Sequence, residues 1–170
     1  VVDRLAIDLQ PRADFEQRIS LGTVAECVHR VAVKRGDAVF LPSGRVHAIG
    51  GGNVIFEIQQ NSDTTYRVFD WNRLDPDGKP RELHIPQSVE SIDFQDYEPR
   101  LIESTFSGNK VKTRELVANS CFSVQEHQIP AGTFVLPKDR KPLVLGVVSG
   151  EIVVGHEHHH VRLQAGQFCL

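Results

Sequence analysis

From Val31 onward the chain is written in short stretches of Val, Ile, Phe and Thr separated by Gly, Pro, Asn and Asp, and this punctuation limits the fold more than any other feature. Stretches of about four to eight residues match strands, and the residues between them preset φ or tolerate positive φ, as turns require. Candidate strands are residues 38–41, 45–49, 54–58 and 65–69, then 115–117, 122–126, 133–136, 143–148, 151–154 and 161–163. The string Asp75-Pro76-Asp77-Gly78-Lys79-Pro80 reads as a surface turn joining Trp71 to Leu83.

Helical signals are confined to short segments. Phe15 and Ile19 with charges between them suit a helix over residues 13–20, Gly22-Thr23 offers a cap before a helical turn over 24–28, and residues 86–92 suit one more short helix. The first two look like an insertion before a β region. A boundary is expected near Tyr97-Glu98-Pro99, giving two β domains, residues 1–98 and 99–170. Gly36 to Pro42 and Gly132 to Pro137 share a turn followed by an apolar strand ending in proline, a sign of a repeat.

Composition excludes several classes. No apolar run nears the roughly 18 residues of a membrane span, and a formal net charge of -3 offers no broad basic field for a nucleic acid or an anionic membrane. Cys27, Cys121 and Cys169 form no metal or disulfide pattern, so a reducing, cytoplasmic setting is expected. The chain opens on Val1-Val2-Asp3 and stops on Gly166-Gln167-Phe168-Cys169-Leu170, inside an apolar run; a piece of a longer protein is expected, with the second domain truncated.

The segment Gly36-Asp37-Ala38-Val39-Phe40-Leu41-Pro42-Ser43-Gly44-Arg45-Val46-His47 carries the strongest motif. Its order of turn, strand, proline turn, glycine and histidine resembles the second motif of the cupin superfamily, whose histidine faces into the barrel and binds a metal. Further on, Gln59-Gln60-Asn61-Ser62-Asp63-Thr64-Thr65-Tyr66-Arg67 gathers polar side chains between two apolar stretches, which points to a ligand. This string, with Pro42 to Gly50 and Arg81-Glu82-Leu83-His84, is very similar to type I mannose-6-phosphate isomerases; the likeness runs from about Phe15 to Phe94.

That resemblance implies a mainly β fold of two tandem double-stranded β-helix (cupin jelly-roll) barrels, with short helices inserted in the first. It implies a zinc-dependent aldose-ketose isomerase interconverting mannose 6-phosphate and fructose 6-phosphate through a cis-enediol, its partner a small sugar phosphate. By position it makes His47 the last protein ligand of zinc and Arg67 the active-site arginine, and matches Glu57 to an acidic position near the substrate pocket. Gln59 and Asp63 fall in the string assigned to substrate. The other zinc ligands, a Gln-x-His pair and a glutamate, have no counterpart in Val1 to Arg35 and are expected before residue 1.

Other roles stand beside these. Arg67 could pair with Asp63 or Asp70, and Glu57 could anchor Arg67 or a backbone amide. His156, His158 and His160 could line one strand face in an exposed hairpin. A metal-free bicupin that binds a sugar phosphate without catalysis is the main alternative, and an iron oxygenase a weaker one.

Overall fold

The computed structural model describes residues 6–7, 12–96, 100–133, 135, 142–156 and 158–170. It is built mainly of small antiparallel sheets with few helices, and falls into two compact units, Val1–Pro130 and Ala131–Leu170.

In the first unit, β1 (Ala6–Ile7) pairs antiparallel with β2 (Val28–His29) around α1 (Arg12–Leu21) and a 3-10 turn, Val24–Cys27. Asp14 in the first turn and Arg18 in the last complement the helix dipole, and the two side chains meet at 3.2 Å. Gly22, at φ +69°, ends the helix: its N–H donates to the Ile19 carbonyl and that of Thr23 to the Arg18 carbonyl, the Schellman pattern. Phe15, the buried residue of α1, joins Val24, Cys27 and Val68 in the core, with Val46, Phe69, Ile92 and Phe94 packed around them.

The second helix, α2 (Ile85–Ser91), begins with Pro86 in its first turn, where a missing N–H costs nothing, and ends within one residue of the expected bounds. The expected turn at 75–80 is present: Asp75 Oδ1 accepts from the N–H groups of Asp77 and Lys79, and Gly78 sits at φ +76°. Strands β3 (Lys112–Ala118) and β4 (Ser123–Gln128) form a hairpin, closed by Asn119 Oδ1 accepting from the N–H groups of Cys121 and Phe122. The Arg114 guanidinium pairs with Glu126 and donates to the Gly36 carbonyl, which ties this hairpin to the turn before Ala38.

The second unit holds β5 (Leu145–Gly146), β6 (Glu151–His156), β7 (His159–Gln164) and β8 (Phe168–Cys169), with β5 pairing β8 and β6 pairing β7. Val147 and Leu163 are its buried residues.

One expectation differs from what is observed. The segments 38–41, 45–49, 54–58 and 65–69 join no ladder among the described residues, where every sheet is two-stranded. Alternating sequence prepares a segment for a sheet, but a strand also needs a neighbour about 4.8 Å away to take its hydrogen bonds. Val54, Ile55, Phe56 and Ile58 are accordingly all exposed. The expected boundary at Tyr97-Glu98-Pro99 lies outside the described residues, and the compact division falls after Pro130, because residues beyond 99 bond back to the earlier chain: Ile102 N–H donates to the Ala38 carbonyl at 2.8 Å. The expected strand 133–136 lies partly outside the described residues.

Candidate functional site

The stretch 42–47 is the most tightly determined part of the site. Arg45 N–H closes the proline turn on the Pro42 carbonyl at 3.2 Å. Gly44 sits at φ +88° with its open side against the Ser91 carbonyl, which a Cβ would approach to 2.9 Å, and its own carbonyl accepts from Asp93 N–H at 3.0 Å. The Arg45 side chain reaches across to Asp96 in a fork, Nε to Oδ2 at 2.8 Å and Nη2 to Oδ1 at 2.6 Å, while Nη1 donates to the Phe40 carbonyl.

His47 follows two residues on. Val46 packs toward the core and His47 is exposed. Its Nδ1 lies 3.0 Å from the Arg45 carbonyl. A carbonyl oxygen only accepts, so Nδ1 is the donor in this bond. That is the state of a metal-ligating histidine, whose other ring nitrogen donates to a fixed acceptor. One histidine supplies a single donor atom, and a metal site needs three or four. Among the described residues no group of three or more His, Cys, Asp or Glu is placed to hold a metal ion, so a three-ligand set is not assembled from them.

Arg67 is partly buried, on the chain that continues into core residue Val68. Its N–H donates to His84 Nδ1 at 3.3 Å, its carbonyl accepts from His84 N–H at 2.8 Å, and Nη1 reaches the Glu82 carbonyl at 3.4 Å. The salt bridge to Asp63 or Asp70 that its sequence position allowed is not formed among the described residues. Asp70 instead pairs with Arg73 at 2.6 Å and lies 3.9 Å from Arg81. The Arg73 hydrogen bond, with the positive charges of Arg73, Arg81 and Arg67, holds the buried Asp70 carboxyl below the usual carboxylate range despite its burial.

Glu57, Gln59 and Asp63 are exposed, and none makes a side-chain hydrogen bond or ion pair among the described residues. An anchoring bond from Glu57 to Arg67 is likewise not formed. No hydrogen bond or ion pair links any two of His47, Glu57, Gln59, Asp63 and Arg67. Gln59 lines a cleft of about 360 Å³ together with Ile58, Gln60, Asn61, Cys121 and Phe122, with the Gln60 amide against the Cys121 thiol.

Sequence reasoning did not single out Arg45, Asp96 or His84 as individual site residues. The charge of Arg45 directly before Val46-His47 was a legible signal; its partner Asp96, distant in sequence, was not. The histidine run lies in an exposed hairpin as expected, but its histidines do not line one strand face. His156 and His159 face each other across β6 and β7, while His160 opposes Gly155 on the other face, so 156, 158 and 160 do not share one strand.

No family model matches the chain. It is 39% identical over 140 residues to mannose-6-phosphate isomerase ManA of Bacillus subtilis (strain 168), covering 82% of this chain and 44% of that protein. It is 34% identical over 157 residues to the mannose-6-phosphate isomerase of Streptococcus mutans serotype c, covering 91% and 49%. In structure it is similar to the crystal structure of the mannose 6-phosphate isomerase from Bacillus subtilis, with a TM-score of 0.84 and 28% identity, covering 98% of this chain and 53% of that one. The chain spans about half the length of the curated relatives it matches.

Proposed function

The chain is related in sequence and fold to the mannose-6-phosphate isomerases, over about half their length, and from this premise we propose that it supplies part of an aldose-ketose isomerase acting on mannose 6-phosphate and fructose 6-phosphate. The observation that carries this is the fold match, which extends over 98% of the chain at a TM-score of 0.84. On this reading the chain is part of tandem jelly-roll barrels of the cupin type. No helix among the described residues is long and apolar enough to cross a membrane.

The isomerisation moves a proton between C2 and C1 of the open-chain sugar through a cis-enediol, with negative charge developing on the adjoining oxygens. Zinc, when bound, supplies positive charge near those oxygens. His47 would be one of the residues that hold it, its Nδ1 lying 3.0 Å from the Arg45 carbonyl. Arg67, its backbone pinned by His84, presents a planar fork of donors that holds sugar oxygens and stabilises their developing charge. Glu57 contributes a carboxylate to the reacting end of the sugar, and Gln59 and Asp63 bind hydroxyls; all three are exposed.

The test is elemental zinc analysis together with a coupled mannose 6-phosphate assay on the full-length protein and its His47→Ala variant. Stoichiometric zinc and activity in the parent, both lost in the variant, is the expected outcome. A His47→Ala protein that keeps its zinc and turnover would remove His47 from the site, and a zinc-free parent with no turnover would remove the isomerase assignment.

A further inference from the structure

We propose that the cleft beside the β3–β4 turn holds the hydroxyl-bearing carbons of the sugar, with Asn61 and Phe122 as specificity-determining residues; the identity of the sugar rests on the isomerase assignment above. The cleft, about 360 Å³, falls in the size range of small-molecule sites. Its lining comes from two segments far apart in sequence, Ile58 to Asn61 on one side and Cys121 with Phe122 on the other.

Backbone bonds shape both walls. Asn119 Oδ1 accepts from the N–H groups of Cys121 and Phe122, and the Asn119 N–H donates to the Phe122 carbonyl at 3.1 Å. Opposite, the Gln60 carbonyl accepts from Ser62 N–H at 2.8 Å, and Ser62 Oγ accepts from Thr64 N–H at 3.3 Å. This leaves side chains available to a ligand. Among the described residues Gln59 and Asn61 make no side-chain hydrogen bond, and the Gln60 amide meets the Cys121 thiol alone.

The chemistry of the lining selects the ligand. No charged side chain lines the cleft, so it offers no counter-charge to a phosphate. An amide carries both a donor and an acceptor, which matches a hydroxyl group, itself both. Gln59, Gln60 and Asn61 supply three amides for adjoining hydroxyls, while Ile58 and Phe122 offer apolar surface to the C–H groups between them. His47, Glu57 and Arg67 lie outside this lining, and Gln59 is common to the cleft and to the string assigned to substrate. The neutral cleft therefore takes the unreactive polyol portion of the sugar and leaves its phosphate and its reacting end to charged groups elsewhere.

Cys121 makes the cleft testable without turnover, since its exposed thiol alkylates at a rate that an occupant of the cleft slows. In the full-length protein, alkylation of Cys121 by iodoacetamide is followed by peptide mapping against mannose 6-phosphate and, separately, inorganic phosphate, with Cys169 as the internal reference. At about ten times its dissociation constant, mannose 6-phosphate is expected to slow Cys121 about 10-fold and to leave Cys169 unchanged. Phosphate alone is expected to slow neither thiol. In Asn61→Ala, which removes an exposed side chain, and in Phe122→Ala, the midpoint of protection is expected to move to about 3- to 10-fold higher sugar concentration. Absence of protection, equal protection by phosphate, or a midpoint unmoved in Asn61→Ala or in a folded Phe122→Ala would each overturn the proposal. An isomerase assay on the same parent separates the two readings: turnover without protection removes the cleft and keeps the isomerase, and protection without turnover does the reverse.

Discussion

Arg67 and His84 hold each other as a closed pair: the Arg67 N–H donates to the His84 ring at 3.3 Å, and the Arg67 carbonyl accepts from the His84 N–H at 2.8 Å. His84 also stands at the N-terminus of α2, where its carbonyl accepts the first helical bond, from Ser88 N–H. The arginine proposed to meet the sugar is thus fixed in place by the start of a helix, and its own side chain makes one long contact, with the Glu82 carbonyl.

Replacing His84 by alanine removes the ring acceptor and keeps the backbone bond. We expect a loss of about 1 kcal/mol in stability, the usual net worth of one hydrogen bond. In the full-length enzyme we expect a larger effect on kcat than on zinc content. Denaturant unfolding alongside steady-state kinetics checks both.

Gly44→Ala is expected to cost about 1–3 kcal/mol, since a side chain at positive φ is strained and the backbone cannot move away from Ser91 without breaking the bond between Gly44 and Asp93. A thermal melt with no shift would mean that the turn relaxes elsewhere.

Asp70 carries a pH dependence of definite sign. Its folded carboxyl is held below its ordinary value, chiefly by the Arg73 hydrogen bond, so it contributes stability above the unfolded carboxylate pKa of about 3.9. That contribution is lost as the pH falls below this value and through the lower folded one. Asp70→Asn is expected to be less stable than the parent at pH 7, with the two curves converging in acid. Unfolding measured at pH 7, 5, 4 and 3 tests the convergence.

The three thiols are expected to separate by reactivity. Cys121 is exposed and Cys169 partly so, while Cys27 is buried in the core, where burial pushes its thiol up and Arg18 only partly offsets this. Alkylation at pH 7.5 with peptide mapping should label Cys121 first and Cys27 only on unfolding. Early labelling of Cys27 would show that the contacts of α1 with the 3-10 turn open readily.

Much of the local architecture is legible in residue order. The helix carrying Phe15 and Ile19, the glycine that ends it, the proline that starts α2 and the Asp75 to Pro80 turn all depend on neighbours within about five positions, and each forms within a residue or two of where the pattern puts it. The hairpins β3–β4 and β6–β7 are legible for the same reason, since each partner is the next strand in sequence. His47 was legible through the spacing of a proline, a glycine and a histidine, which records a local turn.

Other features needed the folded chain. The alternation at residues 38–69 is that of strands, yet no ladder forms there among the described residues, because pairing depends on what lies alongside and not on the segment itself. Asp96 is one acid among many until the fold brings it to Arg45 across 51 positions. By itself the sequence determined the turns, the helices and the histidine, whose interactions span one or two turns of chain. Only the tertiary structure decided which carboxylate grips Arg45 and which histidine holds the Arg67 backbone, because those contacts join groups far apart in sequence and appear only once the intervening chain has packed.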